Sequence, residues 1–284
     1  MPVNQELKRP NDLIRGLEKT PQFLEGLSTG SRERALGAAA HFFARRMEQQ
    51  PAQTAGERLN AHAVNLIATL PDFARGSWQL EQLNDKKAGR KQKLPFIRDK
   101  IPFNHALRDM IDEAPGLSQS QVIDFCSLAS QDMLDHNSPA DPPIEFVEQK
   151  VRTTLVGMQH EIGLEQILWN IPEIEDVIKA TPEQELQGID MIAVYDGAHI
   201  PLDAKASPSL AGRSLENYEQ YAHKHSDGTS AVSDNGYPLW TGITHGEFHG
   251  GFRIDQDTVD RCTPAVAATL RRLTVGEPPD VRYA

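Results

Sequence analysis

Apolar residues recur at helical spacing through much of the first 140 residues, then give way to strict alternation around residue 190. Helices are expected over Ser31–Gln50, Ala52–Leu70 and Asn104–Glu113, with another opening at Ser118-Gln-Ser-Gln121 and running towards His136. Residues 71–103 read as less regular, interrupted by Pro71, Gly76, Gly89, Pro95 and Pro102. Three prolines within Ser138–Pro143 stop a helix and mark a boundary between a helical region, 1–140, and a second domain, 143–284. Ile144 to about Asn170 then reads as one long helix, with Gly157 or Gly163 as candidate bends. The expected order beyond it is a hairpin, a loop at Ser207–Gly212, a helix over Arg213–Lys224, strands over Pro238–His245 and Gly250–Ile254, and an amphipathic helix over Thr263–Leu273. That order predicts an α/β fold with a mixed sheet flanked by helices.

The hairpin is the most informative segment. Asp196-Gly197 stands between two alternating runs, Ile189–Tyr195 and Ala198–Ala204, and such a dipeptide favours a two-residue turn. If Tyr195 faces Ala198, then Ile189/Ala204, Met191/Leu202 and Ala193/Ile200 share one apolar face. The other face carries Asp190 opposite Asp203 as a non-hydrogen-bonded pair, with Cα atoms about 4.5 Å apart. Lys205 lies one step further along that face, beside Gly188. Two carboxylates so placed repel one another, and a divalent cation between them would relieve the repulsion.

Composition narrows the setting. A chain of 284 residues with 39% hydrophobic and 24% charged residues is that of an ordinary globular protein. No apolar run approaches the roughly 20 residues that span a bilayer, and the N-terminus lacks a signal-peptide core, so a cytoplasmic location without membrane attachment is expected. Cys126 and Cys262 lie far apart with no CxxC spacing, so neither a disulfide framework nor a cysteine zinc site is suggested. The net charge of −11 opposes non-specific binding to nucleic acid, yet Lys86–Lys100 holds seven basic residues against Asp99 alone. That stretch reads either as a solvated loop or as an arm that contacts phosphates.

An Asp on one strand, Asp-x-Lys on the next, and a Glu on the preceding helix together resemble the PD-(D/E)XK nuclease superfamily, over roughly residues 143–255. The resemblance implies a restriction-endonuclease-like mixed sheet and assigns Asp190 as the first acid, with Ile189 where the motif has Pro. Asp203 and Lys205 match the DxK half, and Glu161 matches the helical acid through Gly157-Met-Gln-His-Glu161. Glu165, one turn later, is its rival, and Glu148 lies further off. Asn217-x-x-x-Tyr221 is an imperfect equivalent of a Gln-x-x-x-Tyr pattern found in some members.

The implied metal site is Asp190, Asp203, the Ala204 carbonyl and Glu161, holding Mg²⁺ for which Mn²⁺ would substitute. Lys205 would orient or deprotonate the attacking water, or steady developing charge. The implied activity is Mg²⁺-dependent DNA endonuclease chemistry of the restriction or mobile-element kind, with the helical region serving recognition or dimerisation and a homodimer expected by analogy. Two other readings stand beside it. His245-Gly-Glu-Phe-His249, with His223 and His225 upstream, could supply a zinc-dependent hydrolase, although the glycines argue against a helical HExxH frame. A nuclease-fold module that binds DNA without cutting is the third. No GxSxG elbow supports a serine hydrolase.

Overall fold

A computed structural model of the chain describes residues 7–18, 39, 54–134, 141–215 and 236–275. The helix expected over Ser31–Gln50 lies almost wholly outside the described residues, as do Asn217, Tyr221, His223 and His225. The chain forms two compact units, residues 1–154 and 155–284.

The first unit is helical: α1 (Pro10–Glu18), α2 (Ala55–Asp85), α3 (Arg90–Arg98), α4 (Ile101–Glu113), α5 (Gln119–Met133) and the opening turns of α6 (Ile144–Trp169). Two starts follow directly from local chemistry. Thr54 with Glu57 opens α2, and Ser118 with Gln121 opens α5, each as a reciprocal capping box that satisfies otherwise orphaned N–H groups. The span expected to be irregular is instead helical. α2 runs on through Pro71 and Gly76, α3 contains Pro95, and α4 accepts Pro102 in its first turn, where no intrahelical N–H is needed. Gly76 is required for packing rather than for a break, since a Cβ there would stand 2.9 Å from the Phe96 carbonyl oxygen. Phe73 and Phe103 stack in the core with ring centroids 4.0 Å apart.

The prolines at 142 and 143 mark the start of α6, and the division between the units falls inside that helix. The second unit holds a four-stranded mixed sheet in the order β1-β2-β3-β4: β1 (Ile174–Lys179), β2 (Met191–Tyr195), β3 (Ala198–Ala204) and β4 (Tyr237–Leu239). β1, β2 and β3 are antiparallel neighbours, and β4 lies parallel to β3. Short α7 (Pro182–Glu185) joins β1 to β2, a helical segment over 208–215 follows β3, and α8 (Gln256–Thr274) closes the unit.

The hairpin has the expected register, Tyr195 opposite Ala198 through Met191 opposite Leu202. Asp196 and Gly197 both have positive φ, 48° and 74°, the pair of conformations that a type I′ turn demands. Met191, Ala193, Tyr195, Ile200 and Leu202 face a core shared with Leu164, Ile167 and Leu168 of α6 and Val259, Cys262 and Val266 of α8. Pro201 directs its missing N–H away from β2, and β4 pairs only with residues 202–204, just past it.

β1 was not foreseen; the strand expected over Pro238–His245 is confined to Tyr237–Leu239, and Gly250–Ile254 is not a strand. The N–H of Ile254 donates to Gln166 Oε1 on α6 at 3.0 Å, and its carbonyl accepts from Gln166 Nε2 at 3.3 Å, so a side chain replaces the ladder. Among the described residues, no helix is long and apolar enough to cross a membrane.

Candidate active site

Regular pairing ends one residue before the first acid. The N–H of Asp190 donates to the Leu202 carbonyl at 2.8 Å although Leu202 already pairs with Met191, so two residues of one strand answer to one on the other. The simple pairing of Asp190 with Asp203 and of Ile189 with Ala204 therefore does not continue the ladder. The cause is the approach: α7 ends in a turn whose last residue, Gly188, has φ +78° and feeds the strand in at an angle.

The slip still delivers the acids to one place. Asp190 Oδ2 accepts the Ala204 N–H at 2.7 Å, across the hairpin from its own backbone. Asp203 stands close enough to Asp190 for its charge to oppose ionisation of the Asp190 carboxyl. Lys205 Nζ lies 2.5 Å from Asp203, on the flank of the pair. Burial, with the nearby carboxylates of Glu161 and Asp203, holds the Asp190 carboxyl well above the usual range, and the Ala204 N–H and Lys205 only partly oppose this. Burial likewise raises Asp203, even against its ion pair with Lys205. The side chains of Asp203 and Lys205 remain 16% and 22% exposed, so the cluster is enclosed yet open to a ligand.

Glu161 projects from α6 and acts on Asp190 electrostatically. Glu148 lies away from the cluster, accepting a hydrogen bond from Ser127 at 2.7 Å in the first unit. Asp190, Asp203, Ala204 and Lys205 are thus brought together by the hairpin, and Glu161 by the helix packed beneath it.

Whether these residues suit magnesium is a question of donor chemistry. A hard cation of that size takes carboxylate and carbonyl oxygens, retains several waters and needs only one or two protein carboxylates. Two partly buried carboxylates, with the Ala204 carbonyl directly after the second, fit that requirement. Among the described residues no group of three or more His, Cys, Asp or Glu side chains is placed to hold a metal ion, and Glu161 acts on Asp190 electrostatically.

The histidine segment is arranged differently. His245–Phe248 is a 3-10 turn, and Glu247 is engaged as its cap by the Thr244 N–H at 2.6 Å and by Arg261. His249 stands 3.5 Å from Asp255 with its side chain 72% exposed. His160, next to Glu161, was not anticipated: it is buried edge-on against Phe248, its Nδ1 has no hydrogen-bond partner, and burial, then His245, lowers its pKa.

Gly236 also escaped the sequence reading. A Cβ at Gly236 would lie 2.5 Å from the Gly188 carbonyl oxygen and 3.0 Å from Asp203 Cβ, so the start of β4 rests directly on the floor of the site. A glycine entering a strand is the available signal for such close approach. No protein-family model, no curated protein and no solved structure matches this chain.

Proposed function

We propose that the second unit is a Mg²⁺-dependent phosphodiester hydrolase, and that the chain is a DNA endonuclease of the PD-(D/E)XK kind, related to restriction or mobile-element enzymes and working as a homodimer. One observation carries this reading: two partly buried aspartates brought together by one hairpin and flanked by a lysine, with a helical glutamate within electrostatic reach. A folded chain gains nothing from burying like charges together, so the arrangement suits a cationic ligand. A mixed sheet with helices packed on its core, and the acids on the central hairpin, is the arrangement the resemblance implies.

Asp190 and Asp203, with the Ala204 carbonyl, would hold the metal, which when bound supplies Lewis-acid neutralisation of the phosphate charge. The Ala204 N–H fixes one oxygen of Asp190, leaving the other to face the ligand. Asp203 holds Lys205 in place, and the ammonium is positioned to orient a water or to steady negative charge on a phosphate oxygen. Glu161 orients water at the rim.

The test is incubation with plasmid DNA and Mg²⁺ or Mn²⁺, beside Asp203→Ala and Lys205→Ala. Nicking or linearisation that needs the metal and disappears in both variants supports the reading. Cleavage that persists in both variants removes it.

A further inference from the structure

We propose that the outward surface of α3 and the turn before it binds the sugar–phosphate backbone of duplex DNA. The choice of partner rests on the nuclease reading above, while the surface itself stands on separate observations in the first unit.

Residues 86–100 carry seven basic side chains and a single acid, a local net charge of +6 in a chain whose total is −11. They are not a loose loop, because α3 is seated on α2 where Gly76 admits the Phe96 carbonyl. Lys86, Lys87, Arg90, Lys91 and Arg98 are exposed, and α3 buries no residue fully. Among the described residues, Lys86, Lys87, Lys91 and Lys93 form no ion pair with a carboxylate. Helix stability does not account for them either. The first turn of α3 holds no acid and its N-cap, Gly89, makes no side-chain bond, while Arg90, Lys91 and Lys93 stand at the end where the helix dipole disfavours cations. Lys86, Lys87, Lys91 and Lys93, without a paired carboxylate and carried on a fixed support, complement a polymer that presents about one charge per 1.7 Å of axis.

The same face discriminates among anionic partners. Leu94, Phe96 and Ile97 are half-buried, so no apolar stripe is free to enter a lipid interface. Phe96 is the stretch's single aromatic residue and is not fully exposed, which leaves no platform for stacking unpaired bases. Contact is therefore with duplex phosphates and carries no base sequence.

The experiment measures binding of a short fluorescent duplex by anisotropy in EDTA across a KCl series, for the full chain and for Lys86→Gln/Lys87→Gln/Lys91→Gln. The expected result is weaker binding by the variant and a log–log salt slope shallower by roughly 2–3, since each phosphate contact contributes about 0.9. Thermal unfolding of the variant should match that of the parent. An unchanged slope and affinity overturn the proposal, as does a parent chain that ignores the duplex or binds only vesicles of anionic lipid. The two readings part cleanly: a shallower slope with no metal-dependent cleavage keeps this surface and removes the nuclease, and unchanged binding with cleavage lost in Asp203→Ala does the reverse.

Discussion

Each unit buries carboxylates, and the two solutions are opposite. In the first, Asp141 is 2% exposed and meets Arg75 through a two-point contact, Nε to Oδ1 at 2.5 Å and Nη2 to Oδ2 at 3.2 Å. In the second, Asp190 and Asp203 meet each other, and one cation, Lys205, serves both. A guanidinium fork neutralises its carboxylate and fixes its geometry, so the first arrangement is complete within the fold. The second is incomplete, because both acids could ionise only with more counter-charge than the one ammonium supplies, and burial opposes that ionisation. The difference teaches that burial of charge alone does not mark a site; what marks it is burial without the counter-charge needed to balance it.

The contrast is broken most forcefully by activity. Asp203→Ala and Lys205→Ala should each lower metal-dependent cleavage by about 10²–10³-fold or more, the scale of losing one positioned electrostatic group, with supercoiled-plasmid nicking as the readout. Next in size is the stability of the completed pair. Asp141→Ala leaves Arg75 without its partner and should cost about 3 kcal/mol in urea unfolding, the low end for breaking a buried pair because Arg75 is partly hydrated.

Removing a charge from the incomplete cluster should act in the opposite direction. Asn at 190 can still accept the Ala204 N–H and removes a charge that burial and its neighbours oppose. Asp190→Asn should therefore raise stability near pH 8 by about 1 kcal/mol, the scale of relieving one buried polar group, while abolishing cleavage. The sign follows from linkage. A carboxyl raised in the folded state binds its proton more tightly there than in the unfolded chain. Its stabilising effect is thus fully present below the ordinary carboxylate range and is lost as pH rises towards the folded value. The gain from Asp190→Asn should shrink as the pH is lowered towards that range, and equal gains at both ends of a pH series would contradict the account. The smallest effect is the most specific: Glu161→Gln should lower the apparent Asp190 titration point by carboxyl NMR.

The hairpin was legible because every determinant is local: two residues able to take positive φ, and alternation on both sides. The same alternation placed Asp203 and Lys205 on one side of the strand. It did not reveal the slip at Asp190, which arises from Gly188 and from a turn that no periodicity encodes. β1 was hidden by its acids: Glu175 and Asp176 are exposed on an edge strand, where charge hinders unwanted pairing and erases the apolar signal. Gly250–Ile254 failed in the other direction, since Gln166, far away in sequence, takes both backbone groups of Ile254. Helix α2 was cut short at Pro71 and Gly76 for a related reason, because the neighbour that makes use of Gly76 is Phe96. Long-range partners decided each of these cases.

Gly236 leaves the dyad no slack. The hydrogen on its α-carbon occupies the gap between the end of one strand and the base of an acid in the next. A methyl group in its stead would be a wedge driven between Gly188 and Asp203, altering the spacing of the two carboxylates without touching either. The tolerance of the whole cluster is set by the smallest residue beside it.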